Sequence, residues 1–321
     1  MNILFTSIGR RVELVQTFRD ASRVTENRMV LMGADISSSA PALYFCDKQF
    51  LVPKISDPKY IQKLLEICKD NQIDCLIPTI DTDLLILSKS KTQFALLGTN
   101  VLVSEQEKIS ICRDKRLTAN YFKSLGLMTP RTVDDISRYT SGFPAFIKPL
   151  NGSSSIHAYK VACMDELNDF VKIVPDYIIQ PYITGCEYTV DIFCDFFGNP
   201  VYITPRERIS VRSGEVLKTR ISQNSVIIEE MKLLVNDFKP CGPITVQLIH
   251  NEETDQNIYI EINPRFGGGA PLSMRAGANS AQALIQILQG KRLAYVEYAA
   301  NDGATFSRYD QSICVYEGSP K

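Results

Sequence analysis

The sequence predicts a mixed α/β and α+β protein, with an open parallel α/β sheet first and a core of antiparallel strands after it. Three observations carry this. Short apolar strands alternate with amphipathic helical stretches over roughly the first hundred residues. Gln223–Phe238 shows a helical stripe of Ile227, Met231, Leu234, Val235 and Phe238. Two strand-like runs, Ile244–Ile249 and Ile258–Ile262, flank the polar stretch Asn251–Gln256 and read as an antiparallel hairpin.

In chain order, Ile3–Thr6 is an apolar strand, Ser7–Arg11 a turn, and Val12, Leu14, Val15 and Phe18 the inner side of a helix. Met29–Ala34 is a second strand, ended by Asp35. Asp57-Pro58 opens a helix whose apolar residues are Ile61, Leu64, Leu65 and Cys68. Cys75–Pro78 is a third strand. Gly9 stands alone, so no dinucleotide fingerprint is present. Gly9, Arg10 and the loop Thr79–Thr82 fall at the carboxyl ends of their strands, where open sheets bind ligands. Solvated first-turn arginines are the alternative for Arg10 and Arg11.

The 321 residues are 45% hydrophobic with a formal net charge of −1, enough for a large core in two or three subdomains. That balance argues against a nucleic-acid surface. Nine cysteines with no C-x-x-C pair read as reduced, mostly buried thiols of a cytoplasmic protein. Two histidines leave no basis for a His-built zinc site. A strand at the very start leaves no room for a signal peptide, and no apolar run approaches membrane-spanning length.

Asp114 is a helix N-cap for Lys115–Ser124, stopped by Gly126 and Pro130. Pro144–Pro149 is a strand with Lys148 near its end. Asn151–Ser155 follows as a flexible turn whose N–H groups and Ser153, Ser154 and Ser155 hydroxyls suit phosphate oxygens. Tyr159–Val161 returns as a strand, and Asp165–Val174 is a short helix. Tyr177–Asp191 runs strand, Pro/Gly connector, strand. After the strand Val201–Pro205, five cations fall within fifteen residues. Some of them are expected to face a cleft and bind a carboxylate or a phosphoryl group, with Arg206 and Lys218 chosen; a solvated loop is the alternative.

The hairpin holds the chemistry. Alternation puts Tyr259, Glu261 and Asn263 on one face and Ile258, Ile260 and Ile262 on the other. Antiparallel pairing brings Gln247 beside Glu261. Gln247, Glu261 and Asn263 then form an oxygen cluster of the kind Mg²⁺ accepts when it also bridges nucleotide phosphates. Arg265 follows as a fixed cation, and Asn263-Pro264 with Gly267–Gly269 ends the strand. An ordinary hairpin with a polar outer face is the alternative. A final helix covers Ser280–Gly290, and a last strand Ser312–Tyr316.

Gln247, Glu261-x-Asn263-Pro264-Arg265 resembles the metal-binding end of the ATP-grasp ligases, in the branch of the carbamoyl-phosphate synthetase large subunit. Asp114-Lys115, Lys148 with its small-residue turn, and the Gln180–Glu187 segment extend the resemblance over roughly residues 1–290. It implies an N-terminal pre-ATP-grasp domain (1–112), a lid (113–180) and a C-terminal core with the metal site (181–321). It implies that Lys115, Lys148 and Ser153–Ser155 hold ATP phosphates, that the connector Gln180, Pro181, Tyr182 and Ile183 holds adenine, and that Glu187 holds the ribose hydroxyls. Two Mg²⁺ ions, with Mn²⁺ as substitute, would sit on Gln247, Glu261 and Asn263. Arg265, Lys218 and Arg206 would serve the reacting groups. The turn has one glycine where relatives have several, and His157 stands where a glycine is common. The implied activity is ATP-dependent joining of a carboxylate to an amine, or to a thiol, through an acyl phosphate. A homodimer is one implied assembly; nucleic acid and membrane are not partners. Bicarbonate or carbamate phosphorylation, a non-catalytic ATP module and a plain structural α/β protein are the rivals. A lone unit of this length lacks the second half that carbamoyl-phosphate synthesis uses.

Overall fold

The computed structural model describes residues 1–24, 29–152 and 156–316. Its first part alternates strand and helix: β1 (Asn2–Thr6), α1 (Val12–Val24), β2 (Val30–Asp35), β3 (Lys48–Leu51), α2 (Lys59–Asp70), β4 (Cys75–Pro78), α3 (Asp81–Ala95), β5 (Asn100–Val101) and α4 (Gln106–Arg113). The sheet is parallel in the order β3-β2-β1-β4-β5. β1 is buried on both faces, as a central parallel strand between helical layers must be. Short β3 and the helix beginning at Asp81 have no clean sequence period.

A small lid sheet of order β7-β6-β8 combines β6 (Ala145–Pro149), β7 (Tyr159–Val161) and β8 (Tyr177–Pro181), backed by α6 (Met164–Phe170). The preceding helix α5 (Lys115–Ser124) starts on Asp114, whose side chain accepts from the N–H of Arg116 and Leu117. Although it adjoins the lid in sequence, α5 packs Phe122 against Tyr259 of the large sheet, ring centroids 5.3 Å apart.

That sheet has the order β13-β12-β9-β10-β11-β14, from β9 (Cys186–Cys194), β10 (Pro200–Arg212), β11 (Glu215–Ile221), β12 (Pro243–Asn251), β13 (Gln256–Asn263) and β14 (Thr305–Ser307). One face is covered by α7 (Ser225–Phe238), which buries the expected Ile227, Met231, Leu234, Val235 and Phe238. Asn224 caps its start by accepting from Ile227 N. The other face meets α8 (Ala270–Arg275), α9 (Ser280–Leu288) and the N-terminal domain. An aromatic run, Phe5–Phe18–Phe266–Phe193, crosses that junction with centroid spacings of 5.2, 6.1 and 6.2 Å. Two expectations change. Residues 312–316 form no strand; the edge is taken by Thr305–Ser307, whose backbone pairs with Lys218–Arg220. On β13, Gln247 pairs with Glu261 but Leu248 pairs with Tyr259, so Ile260 is an inserted bulge residue. The bulge flips the parity. Tyr259 lies in the core with Ile262, and not beside Glu261.

Tyr259 OH donates to Glu230 Oε2 at 2.6 Å, and Asn257 Nδ2 donates to the same oxygen at 2.7 Å. Tyr259→Phe is therefore expected to cost about 1.5 kcal/mol of stability, the range for a hydrogen bond to a charged group. Urea unfolding measures this. The opposite face of the sheet should be unaffected, because the ring packs in the layer beneath α7.

Candidate active site

The cleft face of the large sheet is organised in rows. Pairing places Glu261 opposite Gln247, Gln247 opposite Thr189, and Thr189 opposite Arg206, one residue from each of four strands. The next row is Asn263, Thr245, Asp191 and Thr204. A cavity of about 340 Å³ opens between this face and the lid, within the range of small-molecule sites. Lys115, Lys148 and Gly152 line it from the lid side, the connector Gln180–Ile183 from the back, and Glu187, Gln247 and Glu261 from the sheet.

Lys148 is buried on β6 with its ammonium 5.7 Å from the Phe146 ring centroid. Burial lowers its pKa to about 8, partly offset by Glu261 and reinforced by Lys115. Lys115 Nζ donates to the carbonyls of Leu150 and Gly152 at 3.2 and 3.1 Å, binding the helix start to the turn after β6. Burial lowers its pKa as well, while Glu261 raises it. One carboxylate thus faces two desolvated lysines. Asn263 Nδ2 donates to Glu261 Oε1 at 2.9 Å. Ser153, Ser154 and Ser155 lie outside the described residues.

At the far end, Gln180 Nε2 donates to Thr132 Oγ1 at 2.7 Å, which fixes the side chain and leaves the connector backbone along the cavity. Tyr182 is partly exposed beneath the Lys160 ammonium, 4.1 Å from its ring centroid. Glu187 is half exposed and meets Arg208 Nε through Oε2 at 3.2 Å.

The remaining expected residues lie elsewhere. Arg265 is outside the cavity wall and is gripped by Asp81 Oδ2 at 2.8 and 3.2 Å, a bond from the glycine-loop side to the first residue of α3. Arg206 is 2% exposed under the glycine loop, with Nε on Asp191 Oδ2 at 2.7 Å; Ser273 Oγ donates to that same oxygen at 2.6 Å. A Cβ on Gly269 would overlap the Arg206 guanidinium, which explains glycine there. Lys218 is exposed on β11, on the strand that pairs with β14, and is not part of the cavity wall. Sequence reading passed over Thr189 and Asp191, which strand parity from Glu187 would have found. It held Arg208 among the five cations without choosing it and Asp81 only within the loop Thr79–Thr82; the pairing of Asp81 with Arg265 has no local signal. Arg11, whose Nη2 donates to Thr79 O at 3.2 Å, is a desolvated guanidinium beside Arg265, and its pKa falls to about 10.

The donors suit magnesium that also binds a polyphosphate. They are hard oxygens with a single carboxylate, flanked by two lysines. Among the described residues no group of three or more His, Cys, Asp or Glu side chains stands ready to hold a metal alone.

Known proteins share this fold and parts of this sequence. A profile of PylC-like N-terminal domains matches residues 3–102, and one described as ATP-grasp in the biosynthetic pathway with Ter operon matches residues 173–308. The carbamoyl phosphate synthase large chain of Agathobacter rectalis is 22% identical over 87% of this chain and 29% of its own length. The 3-methyl-D-ornithine–L-lysine ligase of Methanosarcina barkeri is 26% identical over 56% of this chain and 46% of its own. The chain therefore spans less than half the length of these relatives. The biotin carboxylase domain of Hydrogenobacter thermophilus 2-oxoglutarate carboxylase has the same fold, with a TM-score of 0.74 at 16% identity, over 94% of this chain and 73% of that one. With the three sheets in this arrangement and both ends of the chain matched, the chain is similar to one ATP-grasp unit and to part of the carbamoyl phosphate synthase large chain.

Proposed function

We propose that the chain is an ATP-dependent carboxylate–amine ligase that works through an acyl phosphate. The observation that carries this is the cavity in which Lys115, Lys148, Glu261 and Gln247 converge at one end while the connector and Glu187 form the other. Three features support ATP. The lysines offer two cations to phosphate, the connector offers backbone groups to a base, and Glu187 offers a carboxylate to sugar hydroxyls. The Hydrogenobacter domain was solved with MgADP. Mg²⁺ would be held by Glu261 with Gln247 and Asn263, and would supply charge compensation for the phosphates. The three-part division at 1–112, 113–180 and 181–321 belongs to this reading.

The chemistry needs no protein nucleophile. A substrate carboxylate oxygen attacks the γ-phosphorus, the bond to the β-phosphate oxygen breaks, and ADP leaves. An amine then attacks the acyl carbon, phosphate departs and the amine loses a proton. The chain's own part is alignment and charge neutralisation. Lys148 and Lys115 take the phosphate charge. Arg265, held by Asp81, stands on the side where the N-terminal domain meets the core, and Arg11 stands beside it. We place the acid and the amine there. The match to 3-methyl-D-ornithine–L-lysine ligase supports an amine acceptor, while the longer match to the carbamoyl phosphate synthase large chain supports bicarbonate phosphorylation as the second reading. Among the described residues no helix is long and apolar enough to cross a membrane, and the free cysteines fit a cytoplasmic enzyme. A phosphate-release screen of acids crossed with amines tests the reading; release with no pair would overturn it.

Glu261→Gln is expected to lower turnover by a factor of about 10² or more, the loss for one charge-compensating group in a closed cleft. Since Glu261 faces Lys115 and Lys148 and not another carboxylate, stability should fall slightly, not rise. ADP formation and a melting curve on one sample measure both.

Lys148→Met should weaken Mg-ATP binding by about 2 kcal/mol, seen by calorimetric titration, since a charged hydrogen bond is lost. Unchanged affinity would take Lys148 out of the phosphate site.

Affinity should also depend on pH. Lys148 titrates near 8 in the free protein, below the ordinary lysine value, and phosphate binding favours its charged form. Protonated below pH 8, it binds without proton uptake; above, each unit of pH costs about tenfold. Mg-ATP should bind about tenfold more weakly at pH 9 than at pH 7, and Lys148→Met should flatten the profile. Without nucleotide the sign reverses. The folded pKa lies below the unfolded one, so the penalty of a buried ammonium is present below pH 8 and fades as pH rises toward 10.5.

A further inference from the structure

Arg208 has no part in the reading above, yet it stands in the cavity wall with its side chain only 9% exposed. All three of its nitrogens are engaged. Nε meets Glu187 Oε2 at 3.2 Å, Nη1 donates to Thr189 Oγ1 at 3.3 Å, and Nη2 donates to the Gly214 carbonyl at 3.0 Å. Gly214 is the second residue of a two-residue turn between β10 and β11. Ser213 and Gly214 both have positive φ, 50° and 78°, as a tight hairpin turn requires. The register slips between Arg208 and Ser210 and again at Val211, so the hairpin bends, and Val211 and Gly214 form part of the cavity wall. A single planar cation therefore ties a strand residue, a carboxylate and the tip of a hairpin into one piece of wall.

We propose that Arg208 is a positioning residue for the sugar end of the nucleotide site. It holds Glu187 by one oxygen so that the other accepts from ribose hydroxyls, and it holds the hairpin tip against the same end of the cavity. This rests on the ATP reading above. Glu187 is 55% exposed, lines the cavity, and among the described residues meets Arg208 through Oε2 alone, so Oε1 is open to a ligand hydroxyl. A lysine could not replace the arginine, because one ammonium on a flexible stem lacks the planar fork that reaches three partners.

The test uses the full chain and two probes, Mg-ATP and Mg-2′,3′-dideoxy-ATP, titrated calorimetrically. Wild type is expected to prefer ATP by tenfold or more. Arg208→Met should reduce that preference to under threefold while changing dideoxy-ATP affinity little, and Arg208→Lys should lose most of it with charge and fold retained. Glu187→Gln should give a similar loss, and the double variant Arg208→Met with Glu187→Gln should lose no more than either alone. If Arg208→Lys keeps the full preference, or if Arg208→Met weakens both nucleotides equally, the arginine only braces the hairpin and the inference is wrong. Additive losses in the double variant would likewise overturn it. A wild type that binds ATP without preferring it rejects the sugar role alone; a wild type that binds neither nucleotide rejects the ATP reading together with it.

Discussion

The active face depends on strand register. Glu261, Gln247, Thr189 and Arg206 meet in one row only because four neighbouring strands are held to a single alignment. A slip of one residue would turn every side chain of a strand to the opposite face. The bulge at Ile260 makes this alignment compatible with the core. It lets Tyr259 and Ile262 both point into the apolar layer on α7 while Ile260 and Glu261 both reach the cavity. A regular strand could not satisfy both demands. The extra residue costs a ladder bond and separates the packing half of β13 from its chemical half.

Electrostatics then follow from the same placement. Lys148 and Lys115 come from the lid side, where burial disfavours their charge, and Glu261 comes from the sheet. Glu261 acts on both lysines, and Asp81 and Asp114 add to it at Lys115, yet burial still holds both below the ordinary lysine value. Away from this point the cations are already paired. Arg206 is matched by Asp191, Arg265 by Asp81, and Arg208 by Glu187. Of these three only Arg208 lines the cavity; Arg206 and Arg265 brace the structure around it.

Much of this was legible in the chain. The hairpin, its partner residues and the helix over 225–238 follow from alternation and helical spacing, because each has one clean apolar face. Lys148 was legible as a strand-end lysine before a small-residue turn. Arg206 and Arg208 were not separable. Both sit among closely spaced cations, and only the burial of one under Gly269 and the placement of the other in the cavity wall tells them apart. The bulge was hidden because Ile258, Ile260 and Ile262 alternate so regularly that a straight strand accounts for them. The pairing of Arg265 with Asp81 joins residues 184 positions apart, a distance no local pattern spans.

The aromatic run Phe5–Phe18–Phe266–Phe193 has a consequence for modularity. Its members come from the first strand, the first helix, the glycine loop and the large sheet, so the N-terminal domain and the core share one apolar layer. The lid sheet, by contrast, closes on its own cluster around Ile147, Val161 and Leu167. Cutting the chain after the parallel sheet would strip Phe5 and Phe18 of their cover and leave a sticky fragment. A change inside the lid sheet therefore leaves the layer shared by the N-terminal domain and the core intact.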